Sequence, residues 1–388
     1  MYQRKLFLLS AVFLCVVLFS CKSSHKRVPR TNIGNWKLVK GDLLNIPIDS
    51  TVSNTAQTAI DYHKIGDSSF ITVGDGNGNN LLVFNLSAKQ LRKKIHFQKD
   101  GPNGIGKFHV ADFIGYDSIL VRGDHKHKFY LMDSTGTIKH TYEVKLPGSD
   151  EGRPTLATTG CRPMLLNGKI IGLLNPNVNQ AEHKYVLTDL PFFVYSGQSA
   201  KMLRSVSFPE LLKDDHSWPM FEWEPAVCKY KGAIVYTFPV SDSIYVLDVN
   251  SEKVKAYGVP DVEGYLLPSP PSEVAVTTWG RAAKSDYLNY LLRYDPFKNV
   301  FYRFILHPLE KDANYLDFYS TLVDRPMTIQ IIDGDDFTVK GETKLAAKTF
   351  FFLDSFVTPD GLYISNNNQA NPENQEDFIS YTQFKISK

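Results

Sequence analysis

Apolar, β-branched and aromatic residues in this chain come in runs of five to eight, and clusters of Gly, Asn, Asp, Ser and Pro separate them. From Trp36 to the C-terminus such runs recur without pause, among them Phe70-Ile71-Thr72-Val73, Ile119-Leu120-Val121, Lys169 to Leu174, Ala233 to Phe238 and Glu273 to Thr278. Runs of this length bounded by turn residues predict strands. No stretch sustains a 3.6-residue apolar period, so the pattern predicts an all-β protein.

A repeat turns many strands into an architecture. An apolar strand ending in Asp or Asn, followed by a turn and a more polar strand, occurs at Leu82 to Asn85, Phe129 to Asp133, Ile244 to Asp248, Leu291 to Asp295 and Ile329 to Asp333. A degenerate copy lies at Phe192 to Ser196. The spacings of 48, 63, 52, 47 and 38 residues sit near the roughly 40 to 50 residues of a four-stranded propeller blade. The terminal Asp or Asn has a local task, because its side chain accepts a bond from the backbone two residues on and closes the hairpin. These acids are therefore expected to be structural. The pattern predicts roughly 27 strands, closer to seven blades of four than to six. Seven is the expectation and six the alternative. Trp36 to Ile48 precedes the first blade, and Phe378 to Ile386 lacks a following partner. Pairing the two would close the ring and hide both edges. A pair of β-sandwiches fits less well, since no Pro/Gly/Ser-rich linker divides the chain.

Asn79 to Leu86, Gly101 to Gly106, Asp117-Ser118-Ile119, Val235 to Pro239, Tyr294 to Phe304 and Gly361 to Ile364 resemble the lipoprotein family of unknown function DUF4221, found in Bacteroidetes-type bacteria. The resemblance covers nearly the whole chain after the N-terminal segment. It implies a propeller-like exported lipoprotein, and it carries over no functional residue.

The N-terminus supplies an address. Arg4 and Lys5 precede an almost unbroken apolar run from Leu6 to Leu18, which ends at Leu18-Phe19-Ser20-Cys21. The run is shorter than the roughly 20 residues of a transmembrane helix and fits a cleaved signal. The tetrapeptide resembles a lipobox, making Cys21 the lipid attachment residue. The expected divisions are a signal peptide over 1–20, a basic flexible tether over 21–35 and a propeller over 36–388. Lys22, Lys26, Arg27 and Arg30 are the charged residues of the tether, with no acid among them. By analogy with lipoproteins of such bacteria, whose surface-exported members tend to carry acids just after the lipidated Cys, this acid-free tether implies an outer-membrane lipoprotein whose body faces the periplasm.

The chain has 43 Lys and Arg against 41 Asp and Glu, and loss of Arg4 and Lys5 would leave the two counts equal. No basic field is present to attract nucleic acid. Cys15 leaves with the signal, so Cys161 and Cys228 remain, read as free thiols rather than a bridge.

Metal and catalytic motifs are weak. Asp75-Gly76-Asn77-Gly78-Asn79 starts like a calcium loop but has Asn80 where a Gly belongs and Leu86 in place of a bidentate Glu. It reads as a hairpin turn. His125 and His127 alternate as zinc ligands would, yet lysines crowd them and no third ligand follows. Gly101 to Gly106 lacks the Lys-Ser/Thr of a phosphate loop and reads as a tight turn between blades. No catalytic residue, metal or cofactor is assigned.

The stretch predicted to bind is His216 to Glu224, with Trp218, Glu222 and Trp223, together with Trp279 and Arg281. Large aromatics beside charges suit recognition of a protein, peptide or glycan. Arg153 and Arg162 are secondary candidates. The favoured function is a lipid-tethered, non-catalytic binding or assembly module. The alternative is an envelope hydrolase or lyase acting on glycan, with its residues converging at the channel mouth.

Overall fold

The computed structural model describes residues 28–388 except 55–56, 76, 125–127, 145–162, 174–176, 180–183, 187–191, 197–198, 203–207, 210–211, 213–223, 266–286 and 310–321. Strand β1 spans Lys37–Pro47. Blade 1 holds β2 (Gln57–Ile65), β3 (Ser68–Asp75), β4 (Asn80–Asn85) and β5 (Gln90–His96). Blade 2 holds β6 (Val110–Gly115), β7 (Ser118–Arg122), β8 (Lys128–Met132) and β9 (Ile138–Glu143). Blade 3 starts with β10 (Met164–Leu166) and β11 (Lys169–Leu173), carries a small hairpin of β12 (Asn177–Asn179) and β13 (Lys184–Val186), and ends with β14 (Phe192–Ser196) and β15 (Ser199–Met202). Blade 4 holds β16 (Ala226–Tyr230), β17 (Ala233–Thr237), β18 (Ser243–Asp248) and β19 (Lys253–Gly258). Blade 5 holds β20 (Leu288–Asp295), β21 (Val300–Leu306), β22 (Met327–Asp333) and β23 (Val339–Leu345). Blade 6 is built from β24 (Phe351–Thr358), β25 (Gly361–Ser365), β26 (Phe378–Ser387) and, on its outside, β1.

The described residues thus form six four-stranded sheets, not the seven blades expected. The strand count explains the excess, because of the 26 strands among the described residues 24 make the six blades and two, β12 and β13, form an added hairpin. Copies ending at Asn85, Asp133, Ser196, Asp248 and Asp333 each close the outer hairpin of a blade, but Asp295 ends the innermost strand of blade 5. An Asx turn closes an inner hairpin as well as an outer one, so blade 5 displays the signature twice. The local task predicted for these residues is observed. Asn85, Asp133, Asp248, Asp295 and Asp333 accept from the backbone N–H of Ala88, Thr135, Asn250, Phe297 and Asp335 at 2.8, 2.8, 2.8, 2.9 and 2.9 Å.

The ring closes as the termini require. β1 runs antiparallel to β26, with Lys37 opposite Ser387 and Pro47 opposite Phe378. The first strand of the chain therefore covers the last edge, removing a ladder that would otherwise be open to aggregation.

Burial explains why the strands read as unbroken apolar runs rather than as alternation. Each blade lies between two others, so both its faces are dry. In β4, Leu81 and Val83 point into the cluster shared with blade 2, while Leu82 and Phe84 point into the cluster shared with blade 6. Neighbouring residues on a strand face opposite ways. The outer strand β5 alternates instead, as one expects of an edge facing water.

The turns read from sequence are formed. Asp75 accepts from Gly78 N at 3.0 Å and from Asn80 Nδ2 at 2.9 Å, so its oxygens hold a turn. Gly104 N donates to Gly101 O at 2.9 Å and Gly106 N to Lys99 O at 3.0 Å, which makes the tight inter-blade connection. Gly101 and Gly106 sit at φ +88° and +72°, a region that suits glycine.

Residues 28–36 lie along blades 4 and 5 before β1 begins. Val28 N donates to Asp242 Oδ2, Arg30 forks onto the Glu342 carboxylate at 2.9 and 3.0 Å, and Gly34 N donates to Val339 O. Asp242 is in the loop between β17 and β18. The described residues therefore begin on the face of the ring opposite the short turns that follow the innermost strands.

Candidate central channel site

The innermost strands of all six blades, β2, β6, β10, β16, β20 and β24, enclose a cavity of about 950 Å³ on the ring axis. Several of these strands are apolar with an ionisable residue inserted near the middle. Ala-Val-Cys-Lys-Tyr in β16, Val-Ala-Asp-Phe in β6 and Phe-Phe-Leu-Asp-Ser in β24 are examples. The interruption points a charge at the axis while the flanking apolar residues pack between blades.

Two polar links cross the wall. Asp112, 2% exposed, accepts from Lys229 Nζ at 2.9 and 2.7 Å through its two oxygens and from Leu165 N at 2.9 Å. It joins blades 2, 3 and 4. Between blades 2 and 4 lies β10, three residues long, whose Leu165 N is the donor from blade 3. On the other side Arg293 donates from Nε to Ser355 Oγ and from Nη2 to Leu353 O, both at 3.2 Å, joining blades 5 and 6.

Next to Arg293 lie two groups whose charged forms burial disfavours. Desolvation raises the Asp354 carboxyl well above the ordinary carboxylate range, with the Arg293 charge pulling the other way. Its Oδ2 is buried with no hydrogen-bond partner among the described residues. Burial likewise pushes the Cys228 thiol up to about 12, again against Arg293. Arg122, at the end of β7, has its own value lowered to about 10 by burial, opposed by Asp124.

The channel opens at the turns after β2, β16 and β20. Phe297 is 48% exposed there, edge-on to Tyr62 at 6.0 Å. Tyr230 and Tyr294 form a second edge-on pair at 4.9 Å. Lys64 and Lys231 stand beside them, and Lys231 Nζ pairs with Asp335 at 2.9 Å. An aromatic and cationic mouth results.

The predicted lipid and binding residues cannot be placed against this lining, whereas Cys228, read from sequence as a free thiol, is part of it. Cys21, Arg153, Arg162, Trp218, Glu222, Trp223, Trp279 and Arg281 lie outside the described residues, as do His125, His127 and Cys161. Arg153 and Arg162 fall between β9 and β10, the 218–223 group between β15 and β16, and Trp279 and Arg281 between β19 and β20. The lining residues were missed because a lone charge within an apolar strand was given no weight. That interruption, repeated at Asp112, Lys229, Arg293 and Asp354, was the available signal.

Fold and channel together define a six-bladed β-propeller whose ring is closed by its N-terminal strand. Residues 35–323 match the family model for the Domain of unknown function DUF4221, and the chain belongs to that family. A crystal structure of a DUF4221 member from Bacteroides vulgatus superposes with a TM-score of 0.78 at 21% identity, covering 92% of this chain and 100% of that one. A protein from Bacteroides fragilis described as exported superposes at 0.51 with 12% identity, covering 94% and 98%. A streptogramin B lyase aligns over 90% and 98% at 12% identity with a TM-score of 0.40. No curated protein matches the sequence.

Proposed function

We propose that this protein is a lipid-anchored, envelope-located binding propeller that takes a small ligand into its central channel through the mouth formed by Tyr62, Phe297, Tyr230 and Tyr294. The observation that carries this reading is the composition of the lining: the charged side chains are mostly held by protein partners, and the accessible groups are aromatic faces and cations. Concave sites of about this volume with a few convergent polar groups are the usual form of small-molecule sites. The description of the similarly folded Bacteroides fragilis protein as exported and the Leu18-Phe19-Ser20-Cys21 site support the location. With the lipid on Cys21, the seven residues to Val28 reach about 25 Å at most. Because Val28 is tied to the face opposite the mouth, the mouth would look away from the membrane, toward ligands arriving from the compartment. Partners held by the tryptophan-bearing connections belong to the same proposal.

The test uses the full chain extracted in detergent and exposed to a soluble envelope extract. Wild type is expected to retain a small molecule detected by native mass spectrometry, and Phe297→Ala to retain at least fivefold less while melting at the same temperature. Equal retention by the variant would move the site away from this mouth. The catalytic alternative, hydrolysis or lysis of glycan, predicts that the retained molecule is altered on incubation, and an unaltered molecule supports binding alone.

A further inference from the structure

The channel mouth continues beyond the ring axis. Tyr62 and Lys64, which line it, also line a second cleft of about 420 Å³ between blades 6 and 1. One wall is β1 with the turn after β24, and the other is formed by β2, β3 and the outer turn of blade 1. Leu43, on the outermost strand of blade 6, lines the cleft and is 60% exposed, so the cleft carries the mouth outward toward the rim of the ring. Phe297 at the mouth and Leu43 in the cleft offer apolar surface to whatever lies along it.

The charges in the cleft balance. Asp42 and Asp360 line it together with Lys64 and Lys89, and the side chains of these four make no salt bridge or hydrogen bond among the described residues. In the channel, by contrast, Lys229, Lys231 and Arg122 each have a carboxylate near them, from Asp112, Asp335 and Asp124. Neither part therefore holds a net field that would select an anion or a cation. What the cleft does hold is unengaged donors and acceptors in one place, with the Ser87 hydroxyl among them.

We infer that mouth and cleft together bind an uncharged oligosaccharide, with one end against Phe297 and the chain running outward between blades 6 and 1. A hydroxyl both donates and accepts, so a polyhydroxylated ligand engages ammonium and carboxylate groups alike, whereas an ion meets as much repulsion as attraction. The C–H bonds of a sugar ring are slightly positive and pack against the negative face of an aromatic ring. A peptide adding itself as a strand needs open backbone groups, and those of the cleft turns are taken. Leu86 N donates to Ser69 O at 3.0 Å, Asp360 N to Thr358 Oγ1 at 3.1 Å, Gln383 Nε2 to Asp360 O at 3.2 Å and Lys298 Nζ to Pro359 O at 3.0 Å. The inference rests on the mouth being the binding site and adds the chemical class and the length of what binds there.

The test exposes the full chain, in a polyoxyethylene detergent that carries no sugar, to an array of immobilised glycans from monosaccharides to hexasaccharides, neutral and uronate-bearing, beside an array of peptides. The expected result is capture by at least one neutral oligosaccharide. Calorimetry with that sugar and its shorter fragments should show affinity rising at least about tenfold from monosaccharide to tetrasaccharide and staying level as salt is raised. Asp42→Asn and Asp360→Asn, both at exposed positions, should lose most of that gain with length while melting as wild type does. No capture by any sugar, capture by uronates alone or capture by peptides alone overturns the inference. A monosaccharide whose affinity no added unit improves overturns the role of the cleft and leaves the mouth as a small-ligand site. Oligosaccharide affinity undiminished in Phe297→Ala would instead overturn the placement of the site at the mouth.

Discussion

Replacing Ile46 by Ala tests whether the N-terminal strand holds the ring together. Ile46 is fully buried and packs in the cluster that joins blades 6 and 1, opposite Ile379 on β26. Truncating a buried Ile to Ala costs about 2 to 5 kcal/mol, the range reflecting how far the site collapses. The unfolding entropy of a ring of roughly 350 residues is about 0.7 kcal/mol/K. The midpoint should therefore drop by about 3 to 7 °C. Val39, on the same strand, is 51% exposed and faces Lys385, and Val39→Ala should move the midpoint by less than about 1 °C. Circular dichroism melts of both variants beside wild type make the comparison. Ile46→Ala melting with Val39→Ala would refute the claim that β1 is an integral part of blade 6.

The remaining predictions address the channel and the pH response. Asp112→Ala should destabilise by about 1.5 to 3 kcal/mol and by more than Lys229→Ala, since Leu165 N also loses its acceptor; equal denaturation midpoints would show that Asp112 does not join three blades. His307 has its value lowered to about 4 by burial, with Lys344 and Arg325 adding to the effect. A depressed value favours the neutral ring in the fold, so stability present above about 6.5 should be lost as pH falls toward 4, and His307→Gln should flatten a plot of midpoint against pH there; an unchanged slope would contradict this. Asp354 has the opposite sign. Its raised value means that the unfolded chain ionises first, so stability should fall as pH rises above about 4. Asp354→Asn should gain on wild type between pH 4 and 7, and a constant difference would refute it. Fatty-acid labelling in cells should mark wild type and spare Cys21→Ala.

The grammar of the hairpins was legible in the sequence because it is local. Asn85, Asp133, Asp248, Asp295 and Asp333 bond to backbone two or three residues on, and a strand ending in Asp or Asn before a turn announces that bond. Ring closure by Trp36 to Ile48 was legible for a global but simple reason: an edge without a partner at each end of the chain demands one. The blade number was not legible from a count of strands, because an added hairpin such as β12 and β13 contributes strands that belong to no blade ladder, and a local turn does not say whether it closes the inner or the outer hairpin. Asp295 and Asp333 look alike in sequence and occupy opposite sides of blade 5. The channel was still less legible. Asp112 and Lys229 are 117 residues apart in the chain and meet across the channel wall, and Arg293 finds its acceptors in the next blade. The aromatics with the strongest sequence signal, Trp218, Trp223 and Trp279, fall in connections between blades outside the described residues, while Phe297, at the channel mouth, sits in a turn that resembled every other.

The most direct measurement of where ligand enters is fluorine NMR of the protein carrying 4-fluorophenylalanine at position 297, with the same residue placed at exposed position 39 as the control. On titration with the small molecule that wild type retains from envelope extract, the account predicts a saturable shift of the resonance at 297 and a stationary resonance at 39. Saturation of binding with the signal at 297 unmoved would contradict it.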